Sequence, residues 1–326
     1  MNILVIRLSS LGDIILTTPV VRALRHRYPR STIDFLVMDC FREAIDGNPD
    51  ISRILEFKRS EYKGLAGIIR FSRGLKPAKY DLVIDLHAKL RSHLICKVLG
   101  TRTLRYSKRS LWKSLGVRLR LIRYRTDDTI VNNYFRPLGT LGIAPGPETL
   151  SFAFSQHDLT TVAAYADHIV MAPGAANATK KWPAEYFGQL GRLLNSKIVL
   201  IGGPEDVQEL EAIRQRIGPD ICDNLAGRFN LKKSGALLSI ARFTITNDSG
   251  PFHLARAGGR PVFVIFGPTD PGMFTFNPNE TLIYAGEPCA PCSLHGDPRC
   301  PKGHFRCMKN LTPEMVYKII HPGYQN

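Results

Sequence analysis

Short apolar runs alternate with longer stretches of helical spacing along most of the chain. Residues 2–7 open it as a strand rich in branched side chains, Leu8-Ser9-Ser10-Leu11-Gly12-Asp13 follows as a turn, and the spacing predicts a helix over about 13–28, ahead of Pro29. Strands are predicted at 33–37, 51–57 and 82–85, with amphipathic material at 62–73. The pattern weakens over about 126–158, where Pro137, Gly139, Gly142, Pro145, Gly146 and Pro147 cluster. A second series then begins, with strands at 168–172, 198–201, 243–246, 262–266 and 282–284 and helices at 183–195, 205–216, 233–241, 252–257 and 313–320. Pro183 suits a helix start, where its missing N–H removes no internal bond. Short apolar strands between helices indicate α/β domains with mainly parallel sheets. The expected division is 1–155 and 156–326, with the junction near 152–159 and the closing helix able to pack back on the first domain. Two sequential open-sheet domains create a central cleft, a common place for a small ligand.

Composition narrows the class. Of 326 residues, 44% are hydrophobic and 22% charged, as in a globular protein. No stretch approaches the roughly 18–20 apolar residues that cross a bilayer. Arg7, Ser9, Ser10 and Asp13 interrupt the first apolar run, so it is not expected to be an export signal. The seven cysteines are therefore expected as cytosolic thiols or metal ligands, not disulfides. Net charge is +16, unevenly placed: residues 1–155 hold 27 Lys/Arg against 13 Asp/Glu, the remainder 17 against 15. Within 89–125 there are 12 basic residues and no acidic one. Such a first half attracts an anionic partner. No nucleic-acid module accompanies the charge, so none is expected as partner. A phosphorylated glycolipid or an anionic membrane surface fits, with Trp112, Leu115, Val117, Leu119, Leu121 and Ile122 as apolar contacts. The plainer reading is a solvated basic face over core-facing apolar residues.

Three strand exits carry candidate chemistry. In Ser9-Ser10-Leu11-Gly12-Asp13-Ile14-Ile15-Leu16-Thr17-Thr18-Pro19, Gly12 permits close backbone approach and Asp13 falls at a helix start, where the helix field favours its anion. A carboxylate there can accept the proton of a bound hydroxyl; it can equally be an N-cap. In Pro173-Gly174-Ala175-Ala176-Asn177-Ala178-Thr179-Lys180-Lys181-Trp182-Pro183, small residues open main-chain N–H groups to a phosphate, Lys180 or Lys181 can neutralise its charge, and Thr179 can donate a further bond. The alternative is a sharp loop with solvent-facing lysines. In Thr246-Asn247-Asp248-Ser249-Gly250-Pro251-Phe252-His253, Asp248 suits a cap, Ser249 and the Gly250 N–H suit phosphate, and His253 either bonds it or braces the loop. Neither a dinucleotide glycine fingerprint nor a P-loop is present. Finally, Cys289-x2-Cys292-x7-Cys300-x6-Cys307 sets four soft ligands in 19 residues, a candidate structural zinc site, with reduced thiols or an opportunistic disulfide as alternatives.

The sequence resembles the ADP-heptose:lipopolysaccharide heptosyltransferase family, glycosyltransferases of two facing Rossmann-like domains (GT-B type). The residues that carry the resemblance are Arg7-Leu8-Ser9-Ser10-Leu11-Gly12-Asp13 with Thr17-Thr18-Pro19, Pro173-Gly174-Ala175 with Lys180-Lys181-Trp182-Pro183, Thr246-Asn247-Asp248-Ser249-Gly250 with His253, and Gly267-Pro268-Thr269-Asp270-Pro271. The cysteine tail looks like that of members related to the second heptosyltransferase. The resemblance implies inverting transfer of heptose from ADP-heptose to an anionic lipopolysaccharide inner-core acceptor, without a catalytic cofactor. It implies Asp13 as general base with Ser9, Ser10, Gly12 and Thr17 on the acceptor side. On the donor side it implies Lys180 as a catalytic and binding cation with Thr179, Lys232, Asp248, Ser249, Gly250 and His253. Lys232 departs from the family pattern: it stands where an acidic residue commonly accepts from a ribose hydroxyl, which a lysine cannot do. The expected protein is a cytoplasmic monomer, peripheral at the cytoplasmic face of the inner membrane. Competing readings are a related transferase with another nucleotide sugar or acceptor, and a non-catalytic acidic-glycolipid-binding module.

Overall fold

The computed structural model describes residues 1–107 and 128–321. They form two compact units, 1–107 with 128–153, and 154–321. The proposed interface residues Trp112, Leu115, Val117, Leu119, Leu121 and Ile122 lie outside the described residues.

The first unit is a five-stranded parallel sheet in the order β3-β2-β1-β4-β5: β1 Asn2–Ile6, β2 Thr32–Met38, β3 Arg53–Phe57, β4 Leu82–Asp85 and β5 Thr103–Arg105. Ile3, Leu4, Val5 and Ile6 are all fully buried, a continuous apolar run rather than an alternation because both faces of the central strand are covered. The helix expected over 13–28 is two pieces, α1 Leu11–Ile15 and α2 Thr18–Arg27. Pro19 is the cause. It has no N–H to return to the Ile15 carbonyl, and the Thr18 hydroxyl donates there instead, at 2.7 Å, while Thr17 Oγ1 donates to Ile14 O at 2.6 Å. Helices α3 Gly64–Leu75, α4 Leu90–Leu99 and α5 Ile130–Phe135 complete the unit.

The second unit begins with α6 Gln156–Val162 and holds a six-stranded parallel sheet, order β11-β10-β9-β6-β7-β8: β6 Ile169–Ala172, β7 Ile198–Leu200, β8 Cys222–Asn224, β9 Phe243–Asn247, β10 Val262–Phe266 and β11 Glu280–Tyr284. Between them run α7 Ala184–Leu194, α8 Val207–Ile217, α9 Leu231–Ile240 and α10 Gly250–Gly258, and the chain continues through α11 Arg306–Lys309 to α12 Pro313–Ile320. In the closing helix Val316 and Ile320 enter the second unit's own core beside Trp182, Phe187 and Met308, and α12 packs on α7.

In each sheet the strand order reverses once, between β1 and β4 in the first and between β6 and β9 in the second. Loops leaving neighbouring strands diverge at such a point and open a crevice at the carboxyl edge. The three motif loops follow β1, β6 and β9.

Candidate active site

At the first reversal point Asp13 is held from three sides. Arg7, itself buried, places Nη2 2.5 Å from Asp13 Oδ2 and donates from Nη1 to Leu86 O at 2.6 Å, on the exit from β4. Ser10 donates to the same Oδ2 from its amide at 3.2 Å and its hydroxyl at 3.0 Å. The other oxygen, Oδ1, accepts from Tyr134 of α5 at 3.3 Å, and the Arg7 guanidinium lies 5.4 Å from the Tyr134 ring centre. Burial alone would raise the Asp13 carboxyl, but the Arg7 charge and the Ser10 bonds outweigh it and lower it to about 2. The result is a permanent carboxylate with a saturated oxygen and a more open one, its side chain 32% exposed. Ser9 and Ser10 flank it, and Gly12 is buried in α1. Thr17 corrects the expectation: fully buried, with its hydroxyl taken by Ile14 O, it does not present itself to an acceptor.

At the second reversal point Lys180 and Asp248 meet. Lys180 Nζ is 2.7 Å from Asp248 Oδ2, which also accepts from Thr269 Oγ1 at 2.6 Å. An ammonium has three donors, so pairing with Asp248 leaves it capacity for an anion. Asn247, fully buried, ties the two loops together by donating to Pro173 O at 2.6 Å and accepting from the Trp182 amide at 3.1 Å. Trp182 is fixed in turn by its indole N–H on Leu311 O, 2.9 Å. Lys181 points elsewhere, to Glu209 Oε2 at 2.5 Å and Asp206 Oδ1 at 3.8 Å. Ser249 is the N-cap of α10 and its hydroxyl donates to Asn247 O at 3.3 Å. Because Pro251 carries no N–H, the Gly250 amide is the donor at the helix mouth. His253, one turn in, is buried between the Phe252 and Phe274 rings, at centroid distances of 5.0 and 5.1 Å.

One donor-side residue is placed differently from expectation. Thr179 does not offer its hydroxyl to a ligand: Oγ1 donates to Asp297 O at 2.9 Å and accepts from Asp297 N at 2.7 Å. Lys232 stands in the first turn of α9, where its charge helps lower the carboxyl of Asp158, after the larger effect of the Ser155 hydroxyl and amide. Arg7, Tyr134, Asn247 and Thr269 join the site beside the candidate residues. Arg7, Asn247 and Thr269 lay inside the quoted motifs, whereas Tyr134 is 121 residues from Asp13 and had no signal.

The four tail cysteines are free thiols. Burial and the neighbouring Cys292, Cys289 and Cys300 push Cys307 up to about 12. Cys289 Sγ lies 3.8 Å from His304 Nε2. Among the described residues no three His, Cys, Asp or Glu side chains converge as a metal cage.

This architecture, two parallel-sheet Rossmann-like units, is that of the GT-B sugar transferases. It is similar to a crystal structure of a family 9 glycosyl transferase from Veillonella parvula (TM-score 0.81, 20% identity, 98% of this chain and 96% of that one). It is also similar to the ADP-heptose lps heptosyltransferase II of E. coli (TM-score 0.75, 21% identity, 99% and 98%). The sequence pattern of glycosyltransferase family 9 (heptosyltransferase) matches residues 68–301, and the chain belongs to that family. Lipooligosaccharide heptosyltransferase 2 of Haemophilus influenzae is 26% identical over 352 residues, 98% of this chain and 99% of the relative.

Proposed function

We propose that this glycosyltransferase moves heptose from ADP-heptose to a hydroxyl of an anionic lipopolysaccharide inner-core acceptor, with inversion. Two observations, each within its own unit, carry the reading: a permanent carboxylate at the reversal point of the first sheet, and a half-buried, partly available ammonium at that of the second. The acceptor oxygen attacks the anomeric carbon while the bond from that carbon to the diphosphate oxygen breaks on the opposite face, its electrons leaving with ADP. The attacking hydroxyl becomes strongly acidic as its new bond forms, so even a carboxylate lowered to about 2 is base enough to take the proton late, on Oδ1. Lys180 and the Gly250 amide stabilise the charge growing on the diphosphate, and Asp248 and Thr269 hold Lys180 in place. Ser9 and Ser10 border the acceptor.

Lys232 favours a second reading of the donor, another nucleotide sugar whose ribose is held without an acidic partner. A panel of nucleotide sugars assayed with defined truncated cores separates the two, ADP-heptose being the expected donor. In the same assay Asp13→Asn should lower turnover at saturation by about 100-fold or more while ADP still binds. Near-normal turnover would remove Asp13 from the base role.

We also propose a monomer working at the cytoplasmic face of the inner membrane; among the described residues no helix is long and apolar enough to cross a membrane. A structural zinc ion on Cys289, Cys292, Cys300 and Cys307 rests on the chemistry of four neighbouring soft donors; as placed, their side chains do not form a closed cage, and no step of the transfer involves it.

A further inference from the structure

Lys180, Asp248 and Thr269 stand on three separate stretches of chain, and a fourth braces two of them. The amides of Cys292 and Ser293 both donate to Pro268 O, at 2.9 and 3.1 Å, in the peptide just before Thr269. A few residues on, the same segment grips the other arm. His295 O accepts from Asn177 Nδ2 at 2.8 Å, and Asp297 O accepts from the Thr179 amide at 3.1 Å. The Thr179 hydroxyl closes the joint by donating to Asp297 O and accepting from Asp297 N. Between these anchors Gly296 adopts a φ of +81°, and a methyl group there would lie 2.7 Å from Lys180 Cγ and 2.9 Å from Cδ. The bare α-carbon is thus a floor under the lysine stem.

We propose that Thr179 and Gly296 are positioning residues for the transfer, acting through Lys180. A lysine reaches its ligand on a flexible four-carbon stem, and its value in stabilising a developing charge depends on being aimed beforehand. The Thr179–Asp297 joint fixes the backbone on which that stem begins. The Gly296 surface limits where the stem can lie, which leaves the ammonium beside Asp248. The proposal rests on the reading that Lys180 holds the donor diphosphate.

Thr179→Val keeps the shape of the side chain and removes the hydroxyl, while Thr179→Ser keeps the hydroxyl. The valine variant should lose roughly 10- to 100-fold in kcat/KM for the donor, the scale of a misplaced catalytic group, and bind ADP more weakly, with the acceptor KM unchanged. The serine variant should rescue both, and Gly296→Ala should resemble the valine variant. In a Lys180→Ala background the further effect of Thr179→Val should vanish, because there is no longer an ammonium to aim. Full additivity of the two substitutions, or wild-type donor kinetics in both Thr179→Val and Gly296→Ala, overturns the proposal and leaves the role of Lys180 standing. Unaltered ADP affinity and turnover in Lys180→Ala alone sinks the parent reading, and this one with it.

Discussion

Asp13 gives its two oxygens different duties, and Arg7 is what divides them. Oδ2 is saturated by the guanidinium and by Ser10, which leaves Oδ1, shared only with Tyr134 among the described residues, to meet a hydroxyl. The same guanidinium, together with the Ser10 bonds, opposes burial and lowers the carboxyl from 3.8 to about 2. A group depressed in this way keeps its charge, and the stability that comes with it, above its unfolded value and loses both as pH falls through the folded one. Between about pH 4 and neutrality Asp13 should therefore contribute no acid limb to kcat/KM. Arg7→Met removes the cation and leaves burial opposed by the Ser10 bonds alone, so the carboxyl should rise from about 2 and the acid limb of the profile should move to higher pH. An unmoved profile in an active Arg7→Met variant would show that Arg7 does not govern the ionisation of Asp13. Asp13 was legible in the sequence because Gly12 and the turn before it mark a strand exit. Tyr134 was not, since only the folding of α5 onto the first helices brings it within reach.

At the scale of elements, legibility follows length and punctuation. Strands of five residues with branched side chains, such as β1 and β10, announce themselves, and Pro313 marks the start of α12. β5 and β8 are three residues each, like β7, but carry Thr103, Arg105, Asp223 and Asn224 where β7 is wholly apolar, and α4 lies in a basic stretch whose polar positions hide its buried Ile95 and Cys96. The loops carrying Lys180 and Asp248 could be found as strand exits, yet the ion pair joining them follows from β6 and β9 being sheet neighbours, which no local pattern states. The cysteine segment is the opposite case: its spacing was plain, while its service to the donor loops through Pro268 and Thr179 was invisible. If zinc orders this segment, gently purified protein should carry about one equivalent by elemental analysis, and a strong chelator should lower the melting temperature and weaken ADP binding together. Metal-free protein with full donor affinity would end the zinc reading and leave the hydrogen-bonded brace intact.

For the whole chain the deciding property is where the charge lies. Residues 1–155 carry an excess of 14 positive charges, 27 against 13, while the remainder carries an excess of 2, 17 against 15. A field of that kind does not choose the fold, but it raises the rate at which an anionic ligand finds the first half of the protein. Steering acts over distances comparable with the screening length, which shrinks from about 10 Å at 0.1 M salt to about 3 Å at 1 M. Contacts within a buried site are screened far less, and Lys180, 16% exposed and paired with Asp248, belongs to that second kind. The two substrates should therefore answer salt differently. Raising ionic strength from about 0.05 to 0.5 M should lower kcat/KM for a phosphorylated core acceptor several-fold and change ADP affinity much less. An acceptor stripped of its phosphate and carboxylate groups should lose most of that salt dependence. Equal slopes for the charged and the stripped acceptor would mean that the basic excess serves something other than acceptor capture, and the placing of the acceptor beside Ser9 and Ser10 would lose its electrostatic support.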